Sequence, residues 1–527
     1  MRHRLILVAA AAATLLAPTT AGAWTTKAQP GTSMFEAAAV FPPRVLTAPV
    51  VSGTPREGET LTTTTGTFAR GTTSLKVEWL RCDDAGSCPA VSTGTTRVLT
   101  AADVGFQMRS RVTATNDGGS TAALSARTAT VTAAPAVNTT PPSVAGSTTV
   151  DELLIGDAGV WSHPDPAPTY RWLRCTTSCV PIANETGMTL LLTGADAGAT
   201  IKFEVTHGSV TATSPATAAV TRGTYTHILC ANPATGVGVG TDGSLPDGFT
   251  HTDTFVGIDA NPASATRCAG SGAGIPLSTG GTFTTTTPDD RTSLLYRTPA
   301  NIDFQSAQLY RQGQMSGRWS WAVQNTSATN LYSVRFELCS WGDGCSTRGV
   351  LSPRFSSQNR VGLPYSATNG FNVTIACDIG SGSQCNADGS QVVRIFGGTA
   401  ALRDTSSPRV TAAPSGGLAT DATLSGSETL NLAAADDGAG LYRVRIRLDD
   451  DETATKVVNA NNGRCADADP GNGDPYEFAH QRPCVATSTS ILTFDTSAWP
   501  RGSHRLRILL EDAGRNTTLV VDRKVSL

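Results

Sequence analysis

Trp79-Leu80-Arg81-Cys82 returns as Trp172-Leu173-Arg174-Cys175, ninety-three residues further on. The same offset carries Pro49 to Pro142, Gly53 to Gly146, Gly66 to Gly159, Leu99-Thr100 to Leu192-Thr193 and Val112-Thr113 to Val205-Thr206. A repeat of this size is a duplicated domain. Tandem copies of a small module suit a spacer or a binding array better than a catalytic site. Inside each copy the period is two. Val77 and Trp79 alternate with Lys76 and Glu78, and Tyr170 and Trp172 flank Arg171. Met108, Ser110 and Val112 oppose Arg109, Arg111 and Thr113; in the second copy Ile201, Phe203 and Val205 oppose Lys202, Glu204 and Thr206. Such alternation marks half-buried strands. Short strands between Gly, Asp, Ser and Thr turns, with no amphipathic helix, predict a β-sandwich.

Outward from the repeat, the chain reads as exported. Arg2, His3 and Arg4 precede an apolar run from Leu5 to Leu16, and Ala21-Gly22-Ala23 is a small-residue cleavage site. Residues 1–23 are therefore expected to be a signal peptide, cut before Trp24. The run is shorter than the roughly 20 residues a membrane span needs. No cysteine follows the cleavage site, no later stretch is apolar enough to span, and Val525-Ser526-Leu527 carries no sorting tail. The expected product is secreted or held non-covalently at the cell surface. Charged residues make up 16% and the formal net charge is −3. Nucleic-acid binders show a basic patch or stripe, so that class is set aside.

The twelve cysteines fall into neighbouring pairs: Cys82/Cys88, Cys175/Cys179, Cys230/Cys268, Cys339/Cys345, Cys377/Cys385 and Cys465/Cys484. In an exported chain an even count reads as a disulfide framework. Spacing alone does not prove the connectivity. On the loop-entropy account the tightest loops contribute about 2 kcal/mol each and the longest, from Cys230, about 4 kcal/mol. Zinc is the alternative for Cys175-x3-Cys179, but no second Cys or His pair stands at ligand spacing.

Residues 24–44 are a polar lead, 45–134 the first repeat and 141–222 the second, joined by a semi-rigid linker containing Pro135, Pro141 and Pro142. Three features resemble the immunoglobulin-like repeats of exported actinobacterial surface proteins. They are Gly66-Thr67-Phe68 (Gly159-Val160-Trp161 in copy two), the Trp-Leu-Arg-Cys phrase, and Leu99-Thr100-Ala101-Ala102-Asp103-Val104-Gly105. The resemblance covers about 180 residues and implies an immunoglobulin-like sandwich. It departs from antibody-type domains: Gln107 stands where the corner tyrosine would be and Arg109 where the second cysteine would be. Cohesion between the sheets is then left to packing around Trp79 and Trp172. Residues 223–404 are Gly/Thr/Ser-rich, with strand-like stretches at 332–339 and 370–377, and are expected to form a larger jelly-roll-like sandwich. Residues 405–527 carry an Asp-Gly turn (Asp436-Asp437-Gly438) and Asp512-Ala513-Gly514-Arg515-Asn516, a pair of phrases similar to those of bacterial immunoglobulin-like domains. The expected architecture is all-β: a multi-domain string of immunoglobulin-like sandwiches around a larger central one.

Catalytic signatures are missing. There is no Gly-x-Ser-x-Gly elbow and no His-Glu-x-x-His pair, and the mature histidines are scattered. A glycosidase needs two facing carboxylates; Asp253, Asp259, Glu337 and Asp343 are candidates that nothing pairs. Asp436-Asp437, Asp449 to Glu452, and Asp467, Asp469 and Asp474 could offer oxygens to calcium, but turn chemistry accounts for most of them. The Asp467 stretch is not an EF-hand loop, since Asn472 replaces its Gly. No metal and no cofactor are therefore assigned. Trp319 and Trp321 flank Ser320 and on a strand share one face, either core or a stacking platform for a sugar. Trp341, inside the Cys339–Cys345 loop, is the better candidate, because a short bridged loop projects.

The expectation is a secreted, non-catalytic modular protein. Its immunoglobulin-like spacers present a central sandwich to a polysaccharide or cell-wall glycan. A glycan-degrading enzyme and a purely structural surface component are the alternatives, and the oligomeric state stays open.

Overall fold

The computed structural model describes residues 40–527, apart from 164–165, 240–244, 254–267, 269–273, 281, 286, 288–289, 328–333, 365–368 and 380–382. The segment expected to be a signal peptide, most of the lead segment and Asp259 lie outside the described residues. The fold is all-β. The one α-helical turn among the described residues is Gly417–Thr420. Two compact units are present, Met1–Ala134 and Pro135–Leu527.

In the first unit, a three-stranded sheet (Val51–Ser52, Thr60–Thr63, Thr96–Val98) faces a four-stranded one in the order Ala90–Thr93, Ser74–Cys82, Gln107–Asn116, Gly119–Leu124. Strand Gln107–Asn116 alternates between half-buried and buried at every residue, as the period of two requires. Leu61, Trp79, Leu99, Met108 and Val131 form the core, and Trp79 is 0% exposed. Gly66 recurs as Gly159 for a steric reason. Both have positive φ, +65° and +71°, and a Cβ would lie 2.4 Å from the Thr47 carbonyl oxygen or 2.1 Å from that of Thr140.

The repeated phrase can be decoded residue by residue. Trp79 fills the core. Arg81 reaches Asp103, which is fully buried in the turn Ala101–Asp103. Thr100 and Asp103 form a capping box: the Thr100 amide and hydroxyl donate to Asp103 Oδ2 at 3.0 and 3.1 Å. Arg97 Nη2 donates to both Asp103 oxygens at 2.8 Å. Burial pushes the Asp103 carboxyl up, but the Thr100 amide and the two guanidiniums hold it below the usual range. Cys82 bridges Cys88. The second copy repeats this with Trp172, Arg174, Thr193, Asp196 and Cys175–Cys179.

In the second unit, sheet Ser143–Ala145, Leu153–Asp157, Thr189–Leu191 packs on sheet Cys179–Pro181, Thr169–Cys175, Thr200–His207, Val210–Thr213. The central part is a larger sandwich. One sheet runs Thr347–Arg348, Ile302–Gln314, Val392–Asp404, Tyr225–Leu229, Glu477–Phe478, with Ile275–Ser278 and Arg360–Leu363 attached off that path. The other runs Phe249–Asp253, Arg291–Arg297, Gly370–Cys377, Trp319–Asn325, Arg335–Cys339. The C-terminal sandwich pairs Arg409–Val410, Ser427–Ala435, Thr487–Asp495 with Asp451–Val457, Leu441–Leu448, Ser503–Asp512, Thr517–Ser526.

All six neighbouring cysteine pairs are bridged. Residues 254–267 and 269–273 on either side of Cys268 lie outside the described residues, and Cys268 itself is placed, 0% exposed, in the core of the central sandwich. It bridges Cys230, just beyond strand Tyr225–Leu229, across a sequence separation of 38 and a Cα–Cα distance of 5.0 Å. Both sulfurs pack in the interior of the central sandwich, whereas Cys82–Cys88 and Cys175–Cys179 close short turns at an edge.

Two features tie the second unit together. Glu477–Phe478 leaves the C-terminal sandwich and pairs in parallel with Tyr225–Leu229. Tyr442, Tyr476, Phe478, Cys465 and Cys484 thereby join the same core as Tyr225, Tyr296 and Phe371. The second repeat also docks on the C-terminal sandwich through charges. Arg445 pairs with Asp151, Arg505 and Arg507 with Glu185, and Thr189 donates to Asp450. Arg222 donates to the Ser406 carbonyl at 3.0 Å and to Asn516 Oδ1 at 2.6 Å. Arg447 and Arg507 face each other across two strands, so the acids from the repeat neutralise an arginine-rich face.

Candidate functional site

Trp341 is the exposed tryptophan of the central sandwich, at 46%. Its loop is closed by Cys339–Cys345 and held from beneath. The Trp341 amide donates to Ser320 Oγ at 2.7 Å, and the Ser320 hydroxyl donates to Asp378 Oδ2 at 2.5 Å. The Ser340 hydroxyl donates to the same oxygen at 2.9 Å, while the Gly344 and Cys345 amides close turns onto Trp341 and Ser340. The Arg318 guanidinium stacks on the ring, 5.1 Å from its centroid. An indole fixed at the surface by buried groups can stack on a sugar ring with little loss of entropy.

Trp319 and Trp321 do not belong to this surface. Both are 0% exposed, and so is Ser320 between them. Strand Trp319–Asn325 is buried at every residue because both of its faces are covered. Trp319 Nε1 donates to the Asn386 carbonyl at 3.0 Å, and Trp321 packs under Arg311. Of the two readings of this pair, core and stacking platform, the structure shows core: the period of two puts both rings on one face, and that face is interior.

Of the candidate carboxylates, Asp259 and the Asp253 side chain lie outside what is described. Glu337 is nearly buried and ion-paired with Arg311. Asp343 lies in the exposed part of the Trp341 loop. Asp253 closes strand Phe249–Asp253. Most of the acids considered for calcium are spent locally or on docking. Asp437 pairs with Arg409, Asp450 with Arg507, and Glu452 with Arg445. The Asp467 and Asp474 side chains accept the amides of Asp469 and Tyr476.

Asp436 is the exception, and it meets two residues the sequence reading did not group with it. Asp404, Asp436 and Asp512 each offer an oxygen within 4.8 Å of the others, and all three are buried. Asp404 ends the strand Val392–Asp404 of the central sandwich, Asp436 follows Ser427–Ala435, and Asp512 ends Ser503–Asp512. Asp436 Oδ2 accepts the Gly438 and Gly440 amides at 2.9 and 2.8 Å. Asp404 accepts the Ala439 and Ser406 amides, and Asp512 accepts from Asn516. Burial, and then the Asp436 charge, push Asp404 up to about 6. Burial raises Asp436, and burial followed by the two neighbouring carboxylates pushes Asp512 well up. Three carboxylates this close can share protons, or their oxygens could hold a hard cation such as calcium. The signal lay in the Asp-Gly and Asp-Ala-Gly phrases, but Asp404 comes from another sandwich.

A cavity of about 430 Å³ between the second repeat and the C-terminal sandwich is lined by Ile182, Leu190, Leu191 and Leu519. Its charged groups are occupied, Arg174 by Asp196 and Glu185 by Arg505 and Arg507. No helix among the described residues is long and apolar enough to cross a membrane.

No family model matches the chain, and no curated protein does. Among solved structures it is similar to the FN1–FN3 domains of chicken CNTN1, at 9% identity over 67% of this chain and 95% of that one, with a TM-score of 0.16. It is also similar to immunoglobulin domains 1–4 of Sidekick-1, at 13% identity over 92% of this chain and all of that one, with a TM-score of 0.18. Likenesses this distant carry no argument about function. The β-sandwich architecture rests on the strand pairing itself.

Proposed function

We propose that the chain is an extracellular, non-catalytic modular protein whose central sandwich holds a polysaccharide or cell-wall glycan at the Trp341 loop. The observation that carries this is the contrast among three tryptophans of one sandwich. Trp319 and Trp321 are fully buried, whereas Trp341 is held out by a disulfide and a serine–aspartate anchor. Six disulfides support an oxidising compartment. The docked second repeat and the shared core support a rigid base for presentation, in place of independent beads.

The test is retention of the chain on insoluble polysaccharides and cell-wall sacculi, with soluble sugar assayed in the same tubes. Retention without release, lost on Trp341→Ala but kept in Leu351→Ala at another exposed apolar position, is the expected result. Release of sugar would overturn the non-catalytic reading, and retention that survives Trp341→Ala would remove the loop from the site.

A further inference from the structure

We infer that the glycan held at the Trp341 loop carries a carboxylate, taken by the Arg318 guanidinium while a sugar ring lies against Trp341. This rests on the glycan-binding reading above. Arg318 is fixed by its backbone. Its φ is +66°, next to Gly317 at +59°, and its carbonyl accepts the Asp378 amide at 3.0 Å. The turn thus starts the side chain from a defined place between the Cys339–Cys345 and Cys377–Cys385 bridges.

The same sandwich contains a second arginine stacked on a tryptophan, and the comparison is informative. Arg311 lies 5.5 Å from the Trp321 ring centroid, and its guanidinium is closed by the Glu337 carboxylate. Arg318 lies 5.1 Å from the Trp341 centroid, but among the described residues no carboxylate or carbonyl accepts from its guanidinium. Asp378, adjacent to it, spends Oδ2 on the Ser320 and Ser340 hydroxyls. The core pair is complete; the surface pair lacks an acid. A planar guanidinium with free N–H donors matches a carboxylate bidentately, and a pyranose ring supplies the apolar face that stacks on indole. A uronate joins both groups in one residue. The exposed Asp343 in the loop opposes an anion, which is the reason to expect modest affinity and strong dependence on salt.

The experiment is affinity electrophoresis of the full chain in gels containing polygalacturonate or alginate, their methyl esters, or neutral galactan. Retardation is expected in the acidic polymers and should weaken at least tenfold in the esters and with Arg318→Ala or Trp341→Ala. Arg318→Lys should fall between, since it keeps the charge without the fork, and should fold even if the alanine variant does not. Equal retardation by acid and ester, sensitive to Trp341→Ala alone, would overturn the carboxylate and leave the glycan-binding reading standing. Retardation by galactan without retardation by either acid would do the same. No retardation in any gel and no retention on sacculi would overturn both.

Discussion

The buried carboxylates at the junction of the central and C-terminal sandwiches should make stability depend on pH in a direction opposite to ordinary surface acids. Asp436→Asn is the informative perturbation. The Asn side-chain oxygen can keep both amide bonds from Gly438 and Gly440, and its Nδ2 replaces Oδ1, which accepts a long bond from the Ser406 hydroxyl at 3.4 Å. Asp404 is raised from 3.8 to about 6 in the folded state. A raised carboxyl contributes its stability in full below the unfolded value near 4 and loses it as pH rises through about 6. Two units correspond to about 3 kcal/mol. Burial is the larger cause and the Asp436 charge the next, so removing that charge should recover about 1–2 kcal/mol at pH 7.5. At pH 4.5, below the Asp404 value of about 6, Asp404 is protonated and no longer repels the Asp436 charge, so the gain should fall towards zero. The assay is urea denaturation of wild type and variant in chelator at both pH values. Only the difference between the two proteins is read, because His227 titrates with the opposite sign over the same range. A variant no more stable than wild type at pH 7.5, or equally stabilised at both pH values, would refute the reasoning. Repeating the series with millimolar calcium reads the other way of relieving the repulsion: a gain in wild type that Asp436→Asn lacks means the oxygens close on the ion.

Further outcomes concern other parts of the molecule. His227 is fully buried and pushed down to about 4 by desolvation, so its contribution is present above pH 6.5 and lost as pH falls toward 4. His227→Phe should flatten that acid limb in the same urea series. Trp172→Ala should cost about 3–5 kcal/mol by leaving a cavity in the second repeat, whereas Trp341→Ala should change stability by about 0.5 kcal/mol or less; thermal melts of the two separate core from surface. Glu185→Ala leaves Arg507 buried without one of its acids, and should cost about 3 kcal/mol, seen as faster hydrogen exchange in strands Thr189–Leu191 and Ser503–Asp512.

Much of this architecture is legible in the residues. The offset phrases locate both repeats, alternation places Met108 and Val112 inward, and the six bridges join the cysteines nearest in sequence. What escapes is what depends on partners far along the chain. Spacing pairs Cys268 with Cys230 but cannot say that the bridge is interior, since that depends on the two sheets that enclose it. Trp319–Asn325 alternates like a half-exposed strand, yet other elements cover both faces. Glu477–Phe478 sits in a Gly, Asp and Pro-rich loop that carries no strand signal, and becomes a strand only because Tyr225–Leu229 offers an edge. The Asp404, Asp436 and Asp512 cluster draws on two sandwiches, so no local spacing announces it. Of the candidate site, the exposed Trp341 could be anticipated from its short bridged loop, while Arg318 above it is brought there by the turn that leads into the neighbouring strand, Trp319–Asn325.

The ion pairs of the second repeat give the duplication a direction. Asp151 occupies a left-handed position whose amide donates to the Leu192 carbonyl, and the first copy has Gly58 there, donating to Leu99. Arg222 follows Thr221, which bridges Thr149; in the first copy Thr132 bridges Arg56, and the next residue is Ala133. The copies share a scaffold, but only one has the side chains for docking. They are not interchangeable beads. A module inserted after residue 222 would separate Arg222 from its own strand or from Asn516. The second copy is thereby committed to the position it holds.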